Sequence, residues 1–335
     1  MPYINPFDQF GVVEVSEAIN VLPNKYGRIQ ELGIFAEKGV TTNKIAVEEK
    51  NGSLVLLPLN ERGAPGTQGK VGKRKIRTFS VPKIEEDDHI EAEEANGLRA
   101  FGEQAPMMAS VMLNDKLETM RQKHEITHEW LRAGALAGVV KDADGSTYVD
   151  LYSEFGITQK EVDFVLGTST TKVANKCREV VRWVEQNLKG DSMTGVRALV
   201  SPEFYDKLIT HSSVEAAYAN YSAAADRIGG DLRRGFTFGG ITFEEYVGQA
   251  DDKDGNVRKF IAAGDGRAYP AGTVQTFRNF IAPADFNETV NKLGQKYYAK
   301  VVPSKFDRGY DVHSQSNVLP LCLRPAVLVR IYSSN

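Results

Sequence analysis

Between Gln104 and about Leu136 one face repeats at spacings of four and three: Leu113, Leu117, Met120, His124, Thr127 and Leu131. That period belongs to a single long helix. At 1.5 Å per residue it spans on the order of 45 Å. A helix of that length is too long for the inside of a compact unit and suits a strut across a flat one. Gly134 and Gly138 are expected to end it. Any fold for this sequence must supply enough apolar surface along the strut to cover its buried face.

Upstream of the strut the chain reads as extended. The first forty residues are broken by Asn5-Pro6, Pro23-Asn24 and Tyr26-Gly27, which predicts an arm with a short helix near Ser16–Val21. From Val40 to Leu57 the residues favour strands, with Asn51-Gly52 as a hairpin turn signal. A Gly- and Pro-rich stretch over 60–72 leads into the basic run Lys73, Arg74, Lys75 and Arg77, then a strand over Thr78–Val81. Residues 40–85 are thus expected to form a two-stranded excursion with a positive tip. A two-stranded ribbon is marginal in water and must lie on something, for which a neighbouring subunit would serve. Directly after it comes an acidic run, Glu85, Glu86, Asp87, Asp88, Glu91, Glu93 and Glu94, expected as a solvated or partner-facing surface.

Beyond the strut the pattern is α+β. A hairpin is predicted over Val139–Lys141 and Thr147–Tyr152 around Asp144-Gly145, followed by a helix start near Thr158. A helix over Lys172–Leu188 should bury Val173, Cys177, Val180, Val181 and Val184. Arg197–Val200 is a short strand, and Ser201-Pro202 opens a helix with an N-cap and a proline in the first turn. Gly235–Val247 reads as a hairpin, Asp251–Asn256 as a polar turn, and a short helix is expected after Ala282-Pro283-Ala284-Asp285. The closing strand, Cys322–Tyr332, is apolar enough to be covered on both sides.

Composition narrows the function classes. The 335 residues carry a formal charge of −3, so gripping DNA phosphates is not the obvious task. Cys177 and Cys322 match neither a disulfide framework nor a zinc ribbon and are expected as buried thiols. No secretory signal and no stretch of membrane-spanning length are evident, which predicts a protein made in a cytoplasm with no membrane partner.

Three motifs invite a chemical reading. His124-Glu125-Ile126-Thr127-His128 matches H-E-x-x-H on a helix, where two histidines one turn apart can hold zinc beside a glutamate base. The extended metzincin pattern would need Gly and His where Leu131 and Gly134 stand, and the region of a downstream glutamate ligand holds Thr147, Tyr148 and Val149. The motif also continues the stripe through Met120 and Leu131, so packing histidines are the expectation and His124, Glu125 and His128 are a decoy. Gly63–Lys70 imitates a phosphate-binding loop but is one residue out of register, and Val71 replaces the hydroxyl. Asp252, Asp254 and Asn256 imitate a calcium loop without its glycine and its closing glutamate. No G-x-S-x-G elbow occurs. The expectation is no catalytic site, no metal and no cofactor.

Several segments resemble a known family. They are Phe35-Ala36-Glu37-Lys38-Gly39-Val40-Thr41-Thr42, Glu61-Arg62-Gly63-Ala64-Pro65-Gly66, and Leu98-Arg99-Ala100-Phe101-Gly102. Further on come Leu131-Arg132-Ala133-Gly134-Ala135-Leu136, Asp142-Ala143-Asp144-Gly145, Tyr269-Pro270-Ala271-Gly272 and Ala282-Pro283-Ala284-Asp285-Phe286. In this order, over nearly the whole chain, they resemble the lambda-type major capsid proteins of tailed phages, the capsid E family.

The resemblance implies the HK97-like capsid fold, α+β, with residues 1–39 as an N-arm and 40–85 as an E-loop. Residues 86–165 and 297–335 would form a peripheral domain with the strut as its spine helix, and 166–296 an axial domain. It implies a shell subunit that partners itself in pentamers and hexamers of an icosahedral virion, assembled in the host cytoplasm and enclosing double-stranded DNA without reading its sequence. Portal, scaffold, maturation protease and decoration protein are the further partners it implies, with any scaffold a separate chain. Candidate intersubunit contacts are Arg62, Lys70, Lys73, Arg74, Lys75 and Arg77 on the tip, meeting Glu85, Glu86, Asp87 and Asp88 of a neighbour. Two other classes stand open at this level: a zinc peptidase built on His124, Glu125 and His128, and another phage structural protein such as a tail-tube subunit.

Overall fold

The computed structural model describes residues 27–50, 74–91, 109–228 and 234–335. The strut is a helix over Ala109–Ala137 (α2), preceded by one short turn of helix over Arg28–Glu31 (α1). Leu113, Leu117, Met120, His124 and Leu131 are buried as their spacing predicts. Thr127 is not. Its hydroxyl donates back to the Lys123 carbonyl (2.8 Å) at the surface, and His128 takes the buried place. Gly134 lies inside the helix rather than ending it, with the Val139 and Val140 backbone closed against it. Gly138 is the stop. Its φ of +79° is left-handed, and a Cβ there would fall 2.4 Å from the Tyr152 ring.

The length of α2 follows from what it covers. Its first half packs Met112, Leu113, Leu117 and Met120 against Ile90, Ala299 and Val312. These come from a three-stranded antiparallel sheet of Ile84–Glu91 (β4), Gly309–Ser316 (β16) and Tyr298–Pro303 (β15), with β16 central. Its second half packs Leu131, Ala135 and Leu136 into a separate cluster with Phe280, Leu319 and Leu321. Those residues belong to a sheet in which Ala36–Gly39 (β1) runs parallel to Phe277–Ile281 (β14), itself antiparallel to Val318–Cys322 (β17). One helix thus bridges two sheets that share no strand.

The described part of the acidic run is a strand. Residues 84–91 form the edge strand β4, with Ile90 turned into the core and charged neighbours facing out. In the ribbon, Lys44–Lys50 (β2) pairs with Arg74–Ser80 (β3), from Lys44 opposite Ser80 to Lys50 opposite Arg74, while residues 54–57 lie outside the described residues. Asn51-Gly52, the predicted helix near Ser16–Val21 and residues 104–108 lie outside the described residues. The base of the ribbon lies on its own chain. Ile45, Val47 and Phe79 are buried in the cluster that holds Leu136 and Leu321, and the Tyr148 hydroxyl donates to the Ser80 carbonyl (2.9 Å).

After α2 comes a hairpin of Val139–Lys141 (β5) and Thr147–Asp150 (β6). Asp150 ends it by capping a helix over Leu151–Phe155 (α3), accepting from the backbone N–H groups of Tyr152 and Ser153. The helix expected near Thr158 is a strand instead, Lys160–Asp163 (β7). The helix Val173–Asn187 (α4) buries Val173, Cys177, Val180 and Val184, while Val181 is only half-buried. It covers a six-stranded mixed sheet ordered β7, Val329–Tyr332 (β18), Asp265–Ala271 (β13), Gly195–Val200 (β8), Ile241–Glu245 (β10) and Arg234–Phe238 (β9). Ser201 caps the helix Pro202–Thr210 (α5) as predicted, accepting from Phe204 N–H (3.3 Å). The Ala-rich helix Glu215–Ile228 (α6) has no strong apolar stripe and is not predicted by the sequence pattern. A small hairpin of Gln249–Asp251 (β11) and Val257–Lys259 (β12) encloses the polar turn.

The closing strand splits in two. Arg324-Pro325 starts a 3-10 turn over Pro325–Val327, since proline has no N–H for a ladder. β17 before it joins the sheet under α2, and β18 after it enters the six-stranded sheet between β7 and β13. Strand pairing consequently crosses the expected divisions at 166 and 297. β7 and β18 share a sheet with β8, and β14 pairs with β17.

Gly190 supplies a control for Gly138, because it is also left-handed (φ +83°) but has open space around a built Cβ. Gly138→Ala is expected to destabilise by more than ~1 kcal/mol and clearly more than Gly190→Ala, which meets only the backbone penalty. Urea unfolding of the two variants measures the difference, and equal losses would contradict the Tyr152 contact.

Candidate functional site

The H-E-x-x-H segment sits in the middle of α2, with His124, Glu125 and His128 each no more than 2% exposed. The imidazoles do not converge on a common point. His124 Nε2 meets the Ser314 hydroxyl at 2.9 Å and His128 Nε2 meets that of Ser316 at 2.8 Å, both on β16. The His128 ring stacks on Tyr297 with centroids 5.5 Å apart. Glu125 is spent on Lys296, Oε1 to Nζ 3.0 Å. Among the described residues no three metal-ligating side chains gather around one point.

One turn on, the seam continues. Glu129 Oε1 accepts from Ile29 N–H (2.6 Å) and from the Tyr246 hydroxyl (3.0 Å), with Arg132 3.7 Å from its other oxygen. Burial pushes the Glu129 carboxyl up, against those hydrogen bonds. Burial likewise lowers Arg132, and it lowers Lys296 more than the Glu125 charge raises it. Lys296 also donates to the Gln30 side chain (3.2 Å). The segment before β1, the loop after β10 and the approach to β15 are thereby tied to one helix face. Motif reading finds His124, Glu125 and His128 but not Lys296, Tyr246, Ser314 or Ser316, whose roles arise from pairings across about 120 to 190 residues.

The outward surface holds the candidate contacts. Arg62, Lys70 and Lys73 lie outside the described residues, as does the loop Gly63–Lys70. Arg74 opens β3. Lys75 is exposed on it, but Arg77 is engaged by its own chain: Nε donates to the Glu154 carbonyl (2.8 Å) and the guanidinium lies 4.2 Å from the Phe155 ring centroid. The acidic candidates also have partners within the chain. Glu85 pairs with Lys83 (2.6 Å), Glu86 with Lys123, Asp87 with His313, and Asp88 with Lys116 (2.9 Å). Partially exposed pairs of this kind add little stability, but they use up part of the charge once assigned to a neighbour. His89 and Asp311 form a further pair (2.7 Å) on the same face.

The other decoys are structural. Asp252 accepts from Asp254 N–H, Asn256 N–H and Arg258, which closes the β11–β12 turn. Cys177 and Cys322 are buried, and burial pushes each thiol up to about 12.

The buried polar seam thus ties a strut across two sheets. Residues 11–333 match the family described as phage major capsid protein E. The chain belongs to that family. It is 31% identical over 339 residues to a major capsid protein of Pseudomonas phage KPP10, covering 96% of this chain and 97% of that one. It is 27% identical over 354 residues to the major capsid protein of Salmonella phage Felix O1, covering 96% of each. Among solved structures, a candidate capsid protein from a prophage of E. coli CFT073 aligns with TM-score 0.62 at 14% identity, over 97% of this chain and 99% of that one. The capsid of cyanophage P-SCSP1u gives 0.53 at 11% identity over 94% and 90%, and that of Myoviridae phage XM1 gives 0.51 at 11% over 99% of each. At such identities the structures speak for the fold alone, and the fold is HK97-like.

Burial pushes the His124 imidazole down to about 4, with the His313 and Lys123 charges adding to it. A group protonated more readily unfolded than folded withdraws stability as pH falls from about 6.5 towards 4. His128 is shifted the same way, first by burial. His124→Gln should therefore lose less stability than the parent between pH 7 and 4, by on the order of 3 kcal/mol. Urea titrations at both pH values check this, and identical pH slopes would contradict a neutral buried His124.

Proposed function

We propose that this member of the capsid E family acts by tiling and not by catalysis. Many copies, grouped as pentamers and hexamers, would close into an icosahedral shell around double-stranded DNA, assembled in the host cytoplasm. The observation that carries this reading is the family match over nearly the whole chain, together with capsid structures that cover nearly all of the fold. The non-enzymatic part rests on the sealed seam, where both histidines are hydrogen-bonded to serines and the glutamate is neutralised.

In this proposal residues 1–39 serve as an N-arm and 40–85 as an E-loop reaching over neighbours. Residues 86–165 and 297–335 form most of the peripheral region, and 166–296 most of the axial region. β18 pairs with β13, and β14 with β17, so strand pairing links the last two. Individual contacts can be weak, because closed symmetry and many simultaneous contacts add them up. The further partners proposed for the particle are a portal and a scaffold or maturation protease, with a decoration protein as an optional addition. The formal charge of −3 suits a wall that does not grip the enclosed DNA through its phosphates.

The basic tip, from Arg62 and Lys70 through Lys73, Arg74 and Lys75, is assigned to a neighbouring subunit. Arg77 is left to anchor the ribbon on its own chain. Reversal of Lys73, Arg74 and Lys75 to Glu is expected to abolish or sharply slow shell formation while the monomer keeps its melting temperature. Sedimentation and electron microscopy give the readout, and normal particles from the triple variant would refute the tip contact.

A further inference from the structure

Among the described residues Phe306 is the most exposed of the large apolar side chains. It is 88% exposed, at the tip of the β15–β16 hairpin. Its backbone is left-handed (φ 66°, ψ 18°), a conformation that bulky residues rarely hold. The tip has a firm base. Both the Ser304 N–H (2.9 Å) and its hydroxyl (3.1 Å) donate to the Gly309 carbonyl, pinching the loop shut below the ring. Two cations flank the aromatic, Lys305 and Arg308, with the Arg308 guanidinium 5.9 Å from the ring centroid. The chain therefore holds out an aromatic knob beside two cations and one carboxylate, Asp307, a net positive tip. Exposed aromatics with flanking arginine are the side chains that anchor protein interfaces.

A socket of matching chemistry lies on the outer face of the same sheet. A groove of about 830 Å³ runs along β4, β15 and β16, with Phe286 and Val302 contributing apolar surface. Five carboxylates line it, Glu85, Asp87, Asp88, Asp285 and Asp311, with the two lysines Lys83 and Lys300 and the imidazoles of His89 and His313, which pair with Asp311 and Asp87. The chain's own Phe306 does not fill it, since that ring is exposed.

We propose that Phe306, with Lys305 and Arg308, docks into the acidic β4–β15–β16 groove of a second copy of this chain. Knob and socket are different patches, so the contact is heterologous and repeats from copy to copy, closing into a ring where the rotation permits. It rests on the reading of the chain as a self-assembling shell subunit and adds a contact that the sequence did not flag.

The test measures the subunit concentration at which half the protein is in particles, by light scattering and electron microscopy. Phe306→Ala is expected to raise it about tenfold or more, with the monomer melting temperature unchanged because the side chain is exposed. Lys305→Glu with Arg308→Glu should impair assembly in the same way. Adding Asp87→Lys and Asp285→Lys to that chain should restore it. If the unaltered protein forms no particles, the shell reading itself fails. If it assembles and Phe306→Ala assembles equally well, the knob is overturned, whether or not the variant binds an oligodeoxythymidine probe less tightly. Failure of the charge exchange to rescue assembly overturns the socket.

Discussion

Glu125 meets Lys296 at 3.0 Å in the middle of α2, and one turn on Glu129 accepts from Ile29 N–H and the Tyr246 hydroxyl. Leaving any of these buried groups without its partner carries a penalty of several kcal/mol, so few arrangements of the surrounding chain are tolerable. A purely apolar stripe could slide along its sheets by a turn with modest loss. This seam cannot, because Glu125, His124, His128 and Glu129 each meet a particular partner at one height on the helix. The register of β16 against α2 is set where Ser314 and Ser316 meet His124 and His128, two strand residues matching four helix residues. The α1 turn is held by the same carboxylate that holds Tyr246.

From that fixed strut the form of the subunit follows. One half of α2 covers the β4–β15–β16 sheet and the other half covers β1–β14–β17, while the six-stranded sheet with α4 forms a third body. The bodies are sewn together by the split closing segment, whose β17 and β18 enter different sheets. The ribbon is anchored at its base by Ile45, Val47 and Phe79, and the acidic edge strand β4 carries charged side chains outward. Assembly then needs surface complementarity more than refolding, which suits the many modest contacts of a closed shell.

Local chemistry was the readable part of this sequence. The strut, its stop at Gly138, the Ser201-Pro202 cap and the Gly235–Val247 hairpin each depend on residues within a turn or two. The seam was half-visible. Its helix side showed as H-E-x-x-H, whereas Lys296 and the serines carry no motif, and only the fold brings them across the intervening chain. Strand β4 was hidden because an edge strand with one buried face position, Ile90, looks like a charged loop. The break at Arg324-Pro325 was hidden because the apolar run on both sides is continuous, although proline inside a buried strand was a signal. Helix α6 lacked a strong apolar stripe, and the ribbon's true partner lay past a turn signal that favoured a nearer one.

The central claim is that this chain, expressed alone or with its own phage's assembly factors, closes into a shell. Cryo-electron microscopy of the resulting particles tests it most directly. The account predicts closed icosahedral particles built from five- and six-subunit rings, with the α2 seam intact within each subunit. Tubes, or a preparation that stays monomeric under all assembly conditions, would contradict it.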